Sequence, residues 1–385
     1  MKIIHLASFN GNVGDMINHI GFYNNIRKYV TSDITIKQIE IRNYYRSWNE
    51  AAFDQNFIDM VNDGDLFVVG GGDFFRIEWD YSLTGTTFNM QNELFDKINI
   101  PIVFNAVGVD IIDGNEKNIV KFRTFLENCA RKQRCIISVR NDGSYDILKG
   151  ICTNELMKKI LKVPDGGFFT SANYYEHIEI PENKKMIALN ITKDRNDEVW
   201  GTDADKSYVD FVEELANYIS LLLTSNKEYY IVFVPHILSD IEAIYDVLRK
   251  IKGVLITTRV SIAPLLNGDI TTAEYITDIY RKAYFSICMR YHANISSIAM
   301  GTPTIAPIGI DKHIALYKDI GLKNRVVDIR TGKICERLME KTDELINDYD
   351  GFLNENKRVI CEMEKECKKY FEQINKLVQD TQNMI

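Results

Sequence analysis

Short apolar runs alternate along this chain with longer stretches in which apolar residues return every three or four positions. That alternation is the mark of β–α units built around parallel sheets. In the first half the runs are KIIHLA (2–7), ITIKQIE (34–40), LFVVG (66–70), IVFNAVG (102–108) and CIISVR (135–140). Met16, Ile17, Ile20, Tyr23 and Ile26 recur at helical spacing and mark the first crossover helix. The polar stretch EIPENKK (179–185), with Pro181, reads as a linker. A second series of strands then follows: MIALNI (186–191), YYIVFV (229–234), VLITT (254–258), SICM (286–289), TIAPI (304–308) and VVDI (326–329). The pattern therefore predicts an α/β chain of two Rossmann-like domains, 1–180 and 186–335, and a helical segment over 336–385. In that last segment Val359, Ile360, Met363, Cys367, Tyr370, Phe371, Ile374, Leu377 and Val378 fall on one stripe. The stripe fits a long helix that either docks beside its own domain or crosses back to brace the first.

A length of 385 residues suits two cores better than one. With 45% hydrophobic and 26% charged residues the chain is ordinary globular material. The formal charge of −8 argues against a nucleic-acid partner or a broad anionic-membrane surface. Any anionic ligand must then be held by a local cluster of cations or helix N-termini. The 7 cysteines form no CxxC pair and Cys288 lies inside an apolar run, the usage of a reducing compartment. No apolar stretch approaches the roughly 18 residues of a membrane span, and the N-terminus opens directly on a strand. The expected location is the cytoplasm, with at most peripheral contact at the inner membrane face.

Ligands of parallel sheets sit beyond the carboxyl ends of the strands, so the residues following each run carry the functional reading. SFNGNVGD (8–15) offers Gly11 and Gly14 for close backbone approach, with Asp15 able to cap a helix, or Asn10, Asn12 or Asp15 able to touch a sugar hydroxyl. VVGGGDFFR (68–76) exposes the backbone N–H groups of Gly71 and Gly72 beside Asp73. Arg140 ends its strand just before Ser144 and a helix N-terminus, a pairing that suits an anion; alternatively it only pairs with Asp142 or Asp146. His236, in VFVPHILSD, stands where a general base or hydroxyl-binding group is wanted. In SICMRYHANISS, Arg290, Tyr291 and His292 occupy a strand-to-helix turn, and Lys312 follows the next strand. Arg290, Lys312 and the helix amides after His292 together would make an anion pocket in an acidic protein. No metal-ligand spacing appears.

In GNVGD, VVGGG, ISVRNDGS, VPHILSD and above all MRYHANISSIAMGTPTIAPIGIDK, the chain resembles the polysaccharide pyruvyl transferase family over residues 1 to about 320. The resemblance implies a glycosyltransferase-B-like fold with a cleft between the domains. It also implies transfer of the pyruvyl group of phosphoenolpyruvate to a sugar of a cell-surface glycan or its precursor, as a cyclic ketal. The acceptor, which could be lipid-linked, would sit on the first domain and phosphoenolpyruvate on the second. Arg290 and His292 would be the phosphoenolpyruvate-binding and catalytic pair, with Arg140 a second anion ligand, and no cofactor is implied. The same architecture would serve a glycosyltransferase with a nucleotide-sugar donor, or a non-catalytic relative of the fold.

Overall fold

The computed structural model describes residues 1–45, 50–112, 115–201, 204–265 and 270–382. The strands are β1 Lys2–Ala7, β2 Thr35–Glu40, β3 Leu66–Gly70, β4 Phe75–Ile77, β5 Ile102–Val107, β6 Val109–Ile111, β7 Cys135–Arg140, β8 Ile160–Val163, β9 Lys185–Asn190, β10 Tyr229–Phe233, β11 Val260–Ile262, β12 Phe285–Cys288, β13 Thr304–Ile308 and β14 Val326–Asp328. The chain divides into two compact units. Residues 1–9, 22–166 and 363–385 make the first, and residues 10–21 and 167–362 the second. The expected linker at 179–185 thus lies inside the second unit. There Tyr275 donates to Glu179 at 2.8 Å and Tyr175 N–H donates to Asp278 at 2.9 Å.

The first unit holds a six-stranded parallel sheet in the order β2-β1-β3-β5-β7-β8, with β4 and β6 pairing apart from it. Its central strands β3 and β5 are buried along their whole length, which is why they read as apolar runs in the sequence, broken in β5 only by Asn105. The short β4, β6 and β8, of three, three and four residues, leave no such run and escape sequence reading. Tyr370, from the last helix (Tyr349–Gln382), is buried in this unit, where Ser138 Oγ donates to its hydroxyl at 2.9 Å. That hydroxyl donates in turn to Asn105 Oδ1 at 3.1 Å.

The second unit holds a parallel sheet in the order β11-β10-β9-β12-β13-β14, the 3-2-1-4-5-6 arrangement of doubly wound folds. Strand order reverses between β9 and β12, so a ligand crevice is expected beyond the carboxyl ends of those two strands. One expected strand is corrected here: residues 254–258 lie within a helix, Gly253–Arg259, and the edge strand is β11. The run is rich in β-branched residues, but no residue of the helix is fully buried, and only Leu255 and Ile256 pack, partly buried, against the core of the unit. Thr257 and Thr258 turn their hydroxyls back to the carbonyls of Gly253 and Val254, at 2.8 and 2.7 Å. Pairing with β10 begins only at Val260, opposite Ile231.

The last helix is continuous from Tyr349 to Gln382. Its residues through Glu362 belong to the second unit, and those from Met363 onward to the first. In the second unit Arg325, wholly buried, donates to Asn356 Oδ1 at 2.6 Å and to the Phe352 carbonyl at 2.9 Å. Of the stripe read from the sequence, Ile360 and Leu377 are half-buried and the other seven are buried. The last three residues of the expected 336–385 segment lie outside the described residues. Among the described residues no helix is long and apolar enough to cross a membrane.

Candidate active site

The crevice end of the second sheet gathers residues from four places in the sequence. β9 leads into Thr192 and Asp194, β10 into His236 and Asp240, and β12 into Arg290 and His292; the start of the first helix (Val13–Tyr29) joins them.

Arg290 precedes the helix Tyr291–Ala299, and its backbone N–H donates to Asn190 Oδ1 at 3.0 Å. Its guanidinium grips Asp240 through two donors, Nε to Oδ2 at 2.7 Å and Nη2 to Oδ1 at 2.6 Å. Nη2 also reaches Asp194 Oδ2 at 2.6 Å and Thr192 Oγ1 at 2.9 Å. The sequence reading took Arg290 for a cation available to a ligand. Instead two carboxylates already answer its charge and fix its orientation. Nη1 makes no hydrogen bond to any described residue. Asp240 is wholly buried, and its Oδ2 also accepts the His236 N–H at 2.9 Å. Burial pulls the Asp194 carboxyl upward, but the charge and hydrogen bond of Arg290, with the Ser239 hydroxyl, bring it below the ordinary value.

His292 is buried against the first helix. A Cβ added to Gly14 would lie 2.7 Å from His292 Nδ1 and 2.8 Å from its Cβ, so only glycine lets the two helices approach this closely. The Val13 N–H donates to the His236 carbonyl at 3.1 Å. GNVGD, VPHILSD and MRYH, three separate sequence motifs, are therefore neighbours within one unit.

His236 is 1% exposed, and its Nε2 lies 2.8 Å from the Tyr280 hydroxyl. Burial above all, then the charges of Arg290 and His292, drives its pKa well below 6.5. The native imidazole stays neutral while the unfolded one takes a proton below about 6.5, so acidification favours the unfolded state. Native stability should thus fall as pH drops below that value, by up to about 1.4 kcal/mol per pH unit. The variant His236→Gln should lose that contribution; urea unfolding between about pH 5 and pH 7 checks the slope.

The remaining expected residues fall as follows. Asn12 Oδ1 accepts the Gly14 N–H at 3.0 Å, and Asp15 lies in the first turn of the first helix. Tyr291 is buried, its ring centroid 5.6 Å from that of His313. Lys312 sits half-buried in the first turn of the helix Asp311–Asp319. From that turn His313 reaches the end of β12, with Nδ1 3.1 Å from the Met289 carbonyl. The polar residues after His292 serve the fold: Asn294 donates to the Cys288 and Arg290 carbonyls, and Ser296 to that of His292.

Arg140, Gly71, Gly72, Asp73 and Ser144 all lie in the first unit. Arg140 Nε donates to Asp142 at 2.5 Å, with Asp73 and Asp165 each 3.9 Å from its Nη atoms. One cation among three carboxylates is not a prepared anion site, so the pairing alternative describes its present geometry. Gly108 makes room for this group, since a Cβ there would meet Asp73 at 2.4 Å and Arg140 at 2.8 Å. Ser144 donates to Asp142 and accepts the Val109 N–H at 2.8 Å. The Gly71 N–H and Gly72 carbonyl bond to Asn105 and Gly108, spending them on backbone pairing.

Asp194, Thr192, Tyr280 and His313 were not picked out from the sequence. The only available signal for Thr192 and Asp194 was their place just past a strand at the point where sheet order reverses.

Two Rossmann-like sheets in one chain make a fold of the glycosyltransferase-B type. UDP-GlcNAc 2-epimerase from Neisseria meningitidis, solved bound to UDP-GlcNAc, shares it with a TM-score of 0.54 at 11% identity over 100% of both chains. A putative UDP-N-acetylglucosamine 2-epimerase from Listeria monocytogenes gives 0.55 at 12% identity, over 92% of this chain and 91% of that one. The S. aureus MnaA–UDP structure gives 0.52 at 11% identity, over 100% and 97%. At these identities the likeness speaks for the fold alone. No curated protein matches the chain in sequence. The polysaccharide pyruvyl transferase family profile matches residues 12–311, and the chain belongs to that family. The matched stretch contains Gly14, His236, Arg290 and His292.

Proposed function

We propose that this protein transfers the pyruvyl group of phosphoenolpyruvate to two hydroxyls of a sugar in a cell-surface glycan or its precursor, forming a ketal and releasing phosphate. The observation that carries the reading, beside family membership, is the pairing of His292, seated on Gly14, with an Arg290 whose guanidinium is fixed by Asp240 and Asp194.

Phosphoenolpyruvate is weakly electrophilic until C3 accepts a proton, after which C2 accepts a hydroxyl. His292 is the group proposed to deliver that proton. Arg290 would meet a phosphate or carboxylate oxygen with Nη1, its orientation already set before binding. Cleavage of the C2–O bond to phosphate then lets a second hydroxyl close the ketal. Of the two hydroxyl protons, one replaces the proton given to C3 and the other leaves with phosphate. The proton ledger closes without a redox group.

The test is phosphate release from phosphoenolpyruvate by the full chain, assayed with methyl glycosides of common hexoses and N-acetylhexosamines and with cell-extracted glycan precursors. Release that depends on an acceptor, with acid-labile pyruvate recovered on the sugar, supports the reading. Transfer of a sugar from a UDP-linked donor instead would replace it with glycosyl transfer.

A further inference from the structure

Tyr280 and His236 together decide which nitrogen of the His236 ring carries its proton. Both side chains are buried, and the Tyr280 hydroxyl has His236 Nε2, at 2.8 Å, as its only hydrogen-bond partner among the described residues. If Nε2 held the proton it would donate to the phenol oxygen. The phenol O–H would then lack an acceptor, and the lone pair of Nδ1 would lack a donor. If the phenol donates to Nε2 instead, a single group is left over, the Nδ1–H. Burial holds the phenol in its protonated form, so it remains a donor. The second arrangement leaves fewer buried polar groups unmet, and it is the one the ring should adopt.

His236 Nδ1 has no hydrogen-bond partner among the described residues, although it is buried. The His236 backbone is also held beside Arg290. Asp240 Oδ2 accepts both the His236 backbone N–H, at 2.9 Å, and Arg290 Nε, at 2.7 Å, and the His236 backbone carbonyl anchors the start of the first helix. A neutral imidazole presenting N–H, next to a guanidinium with one edge uncommitted, matches an oxyanion. It does not match a hydroxyl that must lose its proton, because the one basic nitrogen is occupied by Tyr280.

We propose that His236, fixed in its Nδ1–H tautomer by Tyr280, is a neutral hydrogen-bond donor to a phosphate or carboxylate oxygen of the donor substrate beside Arg290. Tyr280 is then a positioning residue, and the general-base role read for His236 from sequence passes to another group. This assignment rests on the pyruvyl-transfer reading for the identity of the ligand, but not for the tautomer.

Nitrogen-15 NMR of the histidine rings in the full chain tests it. The free protein should show His236 protonated at Nδ1 and unprotonated at Nε2, and Tyr280→Phe should release that preference. Phosphoenolpyruvate, with binding followed by calorimetry in the same samples, should move the Nδ1–H resonance, and Tyr280→Phe should weaken its affinity about tenfold, the scale of one neutral hydrogen bond. Protonation at Nε2 in the free wild-type protein overturns the proposal. So does bound phosphoenolpyruvate that leaves the His236 signals unmoved, a result that spares the transfer reading. Inorganic phosphate separates the opposite case: a shift with phosphate, in a protein that does not bind phosphoenolpyruvate, upholds the oxyanion donor and removes the transfer reading. No shift with either ligand overturns the donor assignment.

Discussion

Replacing His292 by asparagine is expected to lower acceptor-dependent phosphate release from phosphoenolpyruvate by about 10²–10⁴-fold, the usual contribution of a positioned proton donor. Asparagine fills part of the imidazole volume and keeps hydrogen-bonding capacity, so the fold should survive. The ring rests on Gly14, and a smaller side chain relieves that contact rather than adding to it. Thermal unfolding close to that of the wild type, together with the loss of turnover, would place the defect in the chemistry. Near-normal turnover in a folded variant would remove His292 from the reaction.

Arg290→Met should have the largest effect on stability, about 3–5 kcal/mol, because it leaves the wholly buried Asp240 without its cation. The side chain of Asp194, 34% exposed, contributes less since water can replace part of the lost interaction. The double variant Arg290→Met with Asp240→Asn should recover much of the loss, because an asparagine oxygen can still accept the His236 N–H while carrying no charge. Urea unfolding of the three proteins measures this. Equal stability of wild type and Arg290→Met would mean that the Asp240–Arg290–Asp194 group is not formed in solution.

The sheets were legible from sequence wherever a strand is buried on both faces. β3 contributes an unbroken apolar run, and β5 and β13 runs with one buried polar residue each, Asn105 and Thr304, whose side chains find hydrogen-bond partners. The same signal misled at 254–258, where four β-branched residues and a leucine form part of a helix with no fully buried residue, an ambiguity that periodicity does not resolve at that length. The site was legible in part. Residues just past strand ends are where ligands bind in such folds, so Arg290, His292 and His236 stood out individually. What the sequence could not convey was who meets whom. That Gly14 is glycine because His292 packs on it joins positions nearly three hundred residues apart, and no local pattern encodes that contact.

The charge balance was the other hidden term. Arg140 and Arg290 each looked like ligand cations because the sequence shows charge but not partners. Asp142 and Asp73 hold the first in its present geometry, and Asp240 and Asp194 the second. For Arg290 this changes the role without removing it. A guanidinium fixed through Nε and Nη2 has lost its side-chain freedom before any ligand arrives, so the proposed binding through Nη1 would carry less ordering cost.

The central claim, that the Arg290–His292 site takes phosphoenolpyruvate, is tested most directly by thermal unfolding of the full chain with phosphoenolpyruvate, UDP or UDP-N-acetylglucosamine at matched concentrations. Phosphoenolpyruvate at about a hundred times its Kd should stabilise the protein by about 2.7 kcal/mol, with the two uridine compounds leaving the midpoint unchanged. Stabilisation by UDP or the UDP-sugar and none by phosphoenolpyruvate would contradict the account.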